Sequence, residues 1–196
     1  VGGLRGYKGS LFEGGLRVPG VIEWPDGVTK PRVTSFPAAT VDIFPTLAEI
    51  AGLPTDVMLQ PQDGQSLLSL FDKEPGLRQK PIGFRSAGRG ALIDNDFKLY
   101  TKNVGNGDFV LYHLAEDPAE KQDVKIRYPE VAQRLRKAFQ DWTVTVDASV
   151  AGKDYPSGTV DSPQPPRMFW TDLDAYRPYF KVWRDRPEYK GRLRGK

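Results

Sequence analysis

The spacing of apolar residues changes along the chain and predicts two regions of different type. In residues 40–52 the apolar positions recur at helical spacing, so that Ile43, Leu47 and Ile50 share one face. Thr40 can cap this helix at its start, and a glycine followed by a proline ends it. A second, shorter helix is predicted at 66–71.

From residue 81 onward, short apolar runs separated by turn residues predict a small antiparallel sheet followed by a helix. Turns are predicted at 94–96 and 103–108, and an amphipathic helix at 129–142. The four predicted strands are 81–85, 90–93, 97–102 and 109–114.

The two ends of the chain lack such periods. Residues 1–20 are rich in glycine, and we expect no regular helix there, whereas residues 18–25 are predicted to form a short buried strand. Residues 147–196 mix proline, charge and aromatic rings. Two interpretations stay open for this segment: a tail that wraps the globular body and buries its rings, or an aromatic surface for a sugar or a partner.

Composition excludes several kinds of function. The 28 basic and 25 acidic residues give a formal net charge of +3, which is too small to indicate nucleic-acid binding. The absence of cysteine excludes disulfides, thiolate zinc sites and cysteine nucleophiles. No run approaches the roughly 20 apolar residues of a membrane span. The chain opens at Val1 without a methionine, and we expect it to be part of a longer protein.

The segment with the strongest chemical character is the loop at 4–19. It combines closely spaced glycines with two cations, Lys8 and Arg17, and a counter-charge at Glu13. A lysine on such a loop suits a tetrahedral oxyanion because it is a flexible point charge with three donors. A solvated basic turn is the alternative. The loop is not a phosphate-binding Walker loop, which requires a different spacing of glycine and lysine.

This loop resembles the sulfatase pattern L-R-G-x-K-G-x-x-x-E-G-G-x-R-V-P, which is followed in that family by a strand ending in Trp-Pro. The resemblance continues downstream and covers roughly residues 4–145. It is carried by V-D-x-x-P-T-L at 41–47, D-G-x-S-L at 63–67, D-x-K-L at 96–99 and L-Y-x-L-x-x-D-P-x-E at 111–120.

The resemblance implies a fold and a domain organisation. The whole protein would have the α/β fold of alkaline phosphatase, of which this chain, α+β in itself, would hold the end. Residues 1–77 would complete the catalytic domain, residues 78–146 would form a small four-stranded antiparallel sheet with a C-terminal helix, and residues 147–196 would be the wrapping tail. Members of this family are expected in the periplasm or outside the cell.

The resemblance also implies roles for residues. Lys8 would contact the substrate sulfate and act in catalysis, with Tyr7 either lining the sulfate pocket or merely packing. Glu13 and Arg17 would hold the loop. The substrate would be a sulfated small molecule or glycan. The family nucleophile, a formylglycine formed within a C/S-x-P-x-R motif, has no counterpart here, because the stretch at 162–167 has the wrong spacing.

The calcium ligands of the family also lie upstream, so no metal ligand is assigned in this chain. The missing N-terminal half of the same protein is therefore the expected partner. An exposed apolar surface is expected where that half would sit, together with self-association of the isolated chain. The chain alone is expected to be inactive.

Four other features are interpreted as structural. His113, the only histidine, is expected in a structural or surface role, and the residues Asp94–Asp96 in a hairpin turn rather than a cation loop. Asp117 and Glu120 are expected to form a turn with a capping role rather than a catalytic pair. Lys98, within a predicted strand, is expected to face solvent, with the rim of the substrate site as the alternative.

Two other functional classes remain open from the sequence. One is a carbohydrate-binding or interaction module based on the aromatic tail. The other is a phosphatase or phosphonate hydrolase, which would share the fold but act on phosphorus rather than sulfur.

Overall fold

A computed structural model describes residues 2–74, 76–154 and 168–195 of the chain. Contacts between residues divide the chain into two compact units, 1–159 and 160–196. The division predicted at 77/78 concerns the longer protein and stays a prediction. The helices are α1 (Glu13–Leu16), α2 (Ile43–Ile50), α3 (Pro129–Val150), α4 (Phe180–Trp183) and α5 (Pro187–Lys190). Short 3-10 turns lie at Thr40–Asp42, Thr55–Val57, Leu68–Phe71, Trp170–Asp172 and Asp174–Tyr179.

The centre of the first unit is a four-stranded antiparallel meander, as predicted. Its strands lie side by side in chain order. Two-residue turns join the first three strands, with positive φ at Ala87, Gly88 and Asn95, which matches the twist of a tight hairpin. The turn at 94–96 is therefore confirmed. The strands are β1 (Ile82–Ser86), β2 (Arg89–Asp94), β3 (Phe97–Thr101) and β4 (Val110–His113).

Helix α3 covers one face of the sheet and is eight residues longer than predicted at its C-terminal end. Its buried residues Ala132, Leu135 and Phe139 pack on strand residues that include Leu99. The sheet leaves room for the helix at a glycine in β2: a Cβ at Gly90 would lie 2.3 Å from the Phe139 ring. The alternation of strand side chains thus places every second residue against α3.

The opposite face of the sheet is covered by the segment around residue 11. Leu11 is buried there with Ala91, Tyr100 and Tyr112, which are the strand residues that point away from α3. Phe12 and Leu16 pack around this cluster. Both faces of the sheet are consequently covered, one by a long helix and the other by a glycine-rich loop.

The predicted helix at 40–52 is present as a 3-10 turn at Thr40–Asp42 followed by α2. Its apolar face is exposed, with 55% of Ile43 and 56% of Leu47 accessible, whereas Thr46 and Ala48 are buried. Helical spacing identifies an apolar face but does not specify what covers it. The helix predicted at 66–71 is a 3-10 turn at Leu68–Phe71.

The predicted buried strand at 18–25 is wrong. The segment has no regular structure, and Val21 is 91% exposed. A strand needs a neighbour to satisfy its backbone groups, and no neighbouring strand pairs with it among the residues that the structure describes.

The second unit, as far as it is described, consists of short helical turns around an aromatic cluster. Trp170 contacts the rings of Phe180, Trp183 and Tyr189 at centroid distances of 5.7–5.8 Å. The rings of residues 168–195 therefore pack at least partly against one another. Whether this segment wraps the first unit stays a prediction.

Candidate active-site loop

Lys8 lies at the tip of a tight turn. The Ser10 N–H donates to the Tyr7 carbonyl at 2.9 Å, and the Tyr7 N–H donates to Ser10 Oγ at 3.2 Å. Gly9 follows Lys8 with φ +92°, the left-handed conformation that such a turn favours at this position. Both Tyr7 and Lys8 are exposed, and no carboxylate pairs with Lys8 in the described part of the chain. The turn therefore presents an unneutralised cation.

Close backbone contacts connect this turn to helix α1. The Gly14 N–H donates to the Arg5 carbonyl at 2.7 Å. A Cβ at Gly14 would lie 2.6 Å from that carbonyl, and one at Gly15 would lie 2.3 Å from the Ser10 carbonyl. The glycine pair is thus needed for close approach, which also explains how a helical turn forms where we expected none.

The start of the loop is fixed by Arg5. Its Nη1 donates to the Glu120 carbonyl at 2.7 Å and to the Tyr112 hydroxyl at 3.1 Å. The guanidinium lies 3.9 Å from the centroid of the Phe12 ring, which packs on Tyr100 at 4.5 Å. A cation over an aromatic face adds an attractive contact. The first residues of the loop are therefore held to β3, β4 and the turn that follows β4.

The end of the loop is fixed by three buried charges, which we call the Lys98 cluster: Glu13, Lys98 and Glu120. Lys98 Nζ lies 2.9 Å from Glu13 Oε1 and 2.8 Å from Glu120 Oε1. The Glu13 N–H also donates to Glu120 Oε2 at 2.6 Å. Lys98 and Glu120 are fully buried and Glu13 is 7% exposed. The interpretation of Lys98 as solvent-facing is wrong, because the loop covers the face on which it lies.

The Lys98 cluster joins two carboxylates and one ammonium group, and the Arg5 guanidinium contacts the main-chain carbonyl of Glu120 rather than its carboxylate. Buried charges are stable only when they are paired and hydrogen-bonded, because burial removes the water that would otherwise solvate them. Glu13 satisfies its partner Lys98 rather than Arg17, whose side chain is exposed. The loop-holding role of Arg17 stays a prediction.

Sequence reasoning placed Glu120 in a turn but missed its place in the buried cluster. Glu120 ends the turn that begins at Asp117, whose carboxylate accepts from the N–H groups of Lys121 and Gln122, and it has a positive φ of 55°. The turn at Asp117 is thus as predicted, but Glu120 leaves it to enter the core. A usable signal was the alternation in β3, which places Lys98 on the same face as the buried Tyr100.

The cluster also affects Tyr112. Burial raises the pKa of its phenol, the neighbouring Arg5 opposes this shift, and the negative charges of Glu120 and Asp123 add to it. The hydroxyl stays protonated at neutral pH and accepts the hydrogen bond from Arg5.

A second buried ion pair lies apart from the loop, between Asp42 and Arg78. The guanidinium contacts both carboxylate oxygens, at 2.8 and 2.7 Å, and both side chains have no exposed surface. The N–H groups of Ala39 and Gln65 donate to the same carboxylate. Burial alone would raise the pKa of Asp42, but the hydrogen bonds from Arg78, Gln65 and Ala39 and the Arg78 charge lower it overall.

The remaining candidates have structural contacts. His113 packs between the rings of Phe97 and Tyr128, and its Nδ1 accepts from the Glu116 N–H. Asp94, at the hairpin, pairs with Arg134 of α3. No group of three possible metal ligands occurs within residues 2–74, 76–154 and 168–195.

The surface of the first unit includes a concave region. A cleft with a volume of about 340 Å³ lies between the sheet and α3, next to Thr101 and Phe139. It is on the face of the sheet away from the Lys98 cluster. Lys8 itself is on an open surface. In the described ranges, no helix combines the length and the apolarity needed to cross a bilayer.

Comparison with known proteins identifies related sequences. The chain is 42% identical to a sulfatase of Formosa agariphila, over 74% of this chain and 30% of that protein. It is 32% identical to arylsulfatase K of Gallus gallus, over 68% of this chain and 27% of that protein. It is 41% identical to the steryl-sulfatase of Rattus norvegicus, over 34% of this chain and 11% of that protein. No protein-family model matches the chain.

These alignments cover the C-terminal part of the relatives, and the chain spans between about a tenth and a third of their length. A solved structure of Ps i-CgsB has a TM-score of 0.60 at 28% identity, over 71% of this chain and 31% of that one. A solved structure from work on glycosaminoglycan metabolism by Bacteroides thetaiotaomicron has a TM-score of 0.58 at 25% identity, over 74% and 32%. The mixed α/β fold is thus that of these proteins.

Proposed function

Because this chain belongs to the sulfatase family, we propose that it is the C-terminal part of an enzyme that hydrolyses sulfate esters. The observation that carries the proposal is the exposed Lys8, which pairs with no carboxylate of the described residues and lies on a loop whose ends are fixed to the sheet. A point charge held on a rigid base suits an oxyanion whose negative charge changes during the reaction.

In the proposed reaction, Lys8 donates hydrogen bonds to the sulfate oxygens and offsets negative charge in the transition state. Its three N–H donors can follow a tetrahedral group as the ester bond breaks. Tyr7, beside it, would line the sulfate pocket, and its 75% exposure supports this proposal over packing within the chain. Catalysis requires that such contacts be stronger in the transition state than in the bound substrate.

We propose that the other reacting groups come from the rest of the enzyme. The nucleophile would be a formylglycine and the metal a calcium ion, both supplied by residues outside this chain, as the resemblance implies. The chain alone would bind neither and would be inactive.

The apolar face of α2 supports a contact with the rest of the enzyme. Ile43, Phe44 and Leu47 are each more than half exposed, and Val41 and Leu53, close to them in the sequence, are 42% and 50% exposed. Exposed apolar side chains grouped on one element are typical of an interface. We expect the isolated chain to self-associate through it. A clean monomer in size-exclusion chromatography at micromolar concentration would contradict this assignment.

The test of the function is an assay of the full-length enzyme, produced with a formylglycine-generating enzyme, on an aryl sulfate and in parallel on the matching aryl phosphate. We expect hydrolysis of the sulfate. Lys8→Ala should lower kcat/KM about 100-fold, the usual cost of removing one transition-state donor. The control is Lys102→Ala, which removes an exposed lysine beside β3 and should leave kcat/KM unchanged.

Two outcomes would contradict the proposal. Preference for the aryl phosphate would favour the phosphatase alternative, and full activity of Lys8→Ala would remove Lys8 from its role. A sulfated glycan is a second substrate class, tested in the same assay.

We further propose a periplasmic or extracellular location, which fractionation of the producing cells would check.

A further inference from the structure

Both ends of the Lys8 loop converge on one residue outside it. Arg5, three residues before Lys8, donates to the main-chain carbonyl of Glu120 at 2.7 Å. Glu13, five residues after Lys8, donates its N–H to the carboxylate of the same residue at 2.6 Å. Lys98 then joins the two carboxylates from the strand below.

We propose that Lys98 and Glu120 are positioning residues that set the place of Lys8 for the reaction. The inference rests on the proposed function, which it deepens, because neither side chain reaches the exposed tip of the loop. Lys98 and Glu120 would act through the position of Glu13, and Glu13 through the close backbone contacts of α1 with the turn at 7–10.

The electrostatics of the Lys98 cluster give the reason. Without the ammonium, the Glu13 and Glu120 carboxylates would share a buried site with no cation between them. Like charges in such a site cannot both stay ionised without a large cost, so one must take up a proton or move out. Glu13 lies on the loop and would lose its ion pair with Lys98, which helps to fix the end of that loop, whereas Glu120 lies in a turn fixed by Asp117.

A shift of Glu13 would be transmitted to Lys8 because there is no slack between them. The Gly14 and Gly15 backbones approach the Arg5, Tyr7 and Ser10 carbonyls so closely that a Cβ at either glycine would lie 2.3–2.7 Å from these oxygens. Displacement of α1 therefore displaces the turn. Small displacements of a catalytic group lower the rate of the chemical step far more than they weaken substrate binding.

The first experiment compares three variants of the full-length enzyme: Lys98→Met, which removes the charge, Glu120→Gln, which keeps an acceptor for the Glu13 N–H, and Arg78→Met as the control. The control removes a similarly buried cation that contacts no residue of the loop. Hydrogen exchange of the peptide spanning 5–17 should accelerate at least tenfold in Lys98→Met and less in Glu120→Gln. It should be unchanged in Arg78→Met.

The kinetic readout should change in kcat rather than in KM. We expect Lys98→Met to lower kcat at least tenfold with KM changed less than threefold, and Glu120→Gln to have a smaller effect in the same direction. A folded Lys98→Met enzyme with normal kcat would overturn the inference. Should Lys98→Met not fold, Glu120→Gln decides by the same two measurements.

Coupling to Lys8 separates positioning from general destabilisation. If Lys98 acts through Lys8, adding Lys98→Met to Lys8→Ala should lower kcat/KM less than twofold further, whereas independent effects would multiply. If the two losses in kcat/KM multiplied and hydrogen exchange of the loop were unchanged in Lys98→Met, the inference would be overturned. An enzyme without sulfatase activity would refute the proposed function. The hydrogen-exchange experiment would still test whether Lys98 and Glu120 hold the Lys8 loop in place.

Discussion

Two buried ion sites in the described part of the first unit satisfy their charges in different ways. At Asp42 and Arg78, a planar guanidinium meets one carboxylate through two parallel contacts, and backbone N–H groups complete the carboxylate. In the Lys98 cluster, a single ammonium bridges two carboxylates from different segments. The first site is closed around one pair, whereas the second depends on one shared cation.

The difference shows what each side chain contributes. Arginine holds a fixed fork that matches one carboxylate, and it suits a site that must keep one geometry. Lysine is a point charge that can bridge groups in several directions, and it suits a junction between a strand, a loop and a turn. The Asp42–Arg78 pair, here called the arginine site, links the start of α2 to the segment before the sheet. The Lys98 cluster links the sheet to the candidate active-site loop.

The largest difference in stability between the two sites should appear when each cation is removed. Lys98→Met leaves two buried carboxylates without a cation, whereas Arg78→Met leaves one carboxylate that still accepts two backbone N–H groups. We expect Lys98→Met to lower the free energy of unfolding by about 3–5 kcal/mol and Arg78→Met by about 3 kcal/mol or less. Urea denaturation of both variants beside the wild type measures this. The reverse order would contradict the comparison.

Exchange of the two cations should cost less, and it tests geometry at constant charge. Arg78→Lys loses the second contact to Asp42 and the contact to the Pro37 carbonyl, so we expect a loss of about 1–3 kcal/mol. Lys98→Arg must fit a larger head into a fully buried site, with a cost of about 1–3 kcal/mol from overpacking. The same denaturation experiment applies. If either substitution left the free energy of unfolding unchanged, that site would require a positive charge but not a particular side-chain geometry.

How far the sequence predicted these regions depends on the distance between the interacting residues. The meander and α3 follow from local alternation and spacing, and their existence was predicted. The Lys98 cluster joins Glu13, Lys98 and Glu120 across 107 residues, and no local pattern contains that pairing. Helix α2 was likewise predicted, but the cover of its apolar face depends on residues that the period of the helix does not include.

The loop gives the same lesson in reverse. Its chemistry was predicted only through the family pattern, since glycines with a lysine are equally compatible with a solvated turn. The structure adds the physical reason for the pattern around Glu13: the two following glycines permit close backbone contacts, and the glutamate enters a buried ion site. The catalytic role of Lys8 concerns a ligand, which contacts within the chain do not specify.

Acid should weaken the arginine site in a defined direction. The pKa of Asp42 is below its ordinary value of 3.8 in the folded state, so its ionised form stabilises the fold at all pH values above that value. This contribution is lost as pH falls through the folded pKa. We expect the stability difference between wild type and Asp42→Asn to be constant from pH 7 to pH 5 and to narrow below about pH 4. Urea denaturation at each pH measures it. A constant difference down to pH 2 would contradict the assignment.

The smallest expected effect comes from the hydroxyl that extends the arginine site to Leu67. Thr46 donates to the Asp42 carbonyl at 2.6 Å and accepts from the Leu67 N–H at 2.9 Å. Thr46→Val keeps the shape but leaves that buried N–H unsatisfied, so we expect a loss of about 1–2 kcal/mol. Thr143→Val is the matched control, because the Thr143 hydroxyl donates only to a carbonyl of its own helix, at 2.8 Å. Its removal should cost about 0.5 kcal/mol or less, because the half-buried Thr143 hydroxyl accepts from no buried N–H group that would be left unsatisfied. Equal losses in urea denaturation would mean that the arginine site ends at Asp42. A larger loss for Thr46→Val would mean that α2, the segment at 65–67 and Arg78 form one buried polar network, complete without any residue of the Lys8 loop.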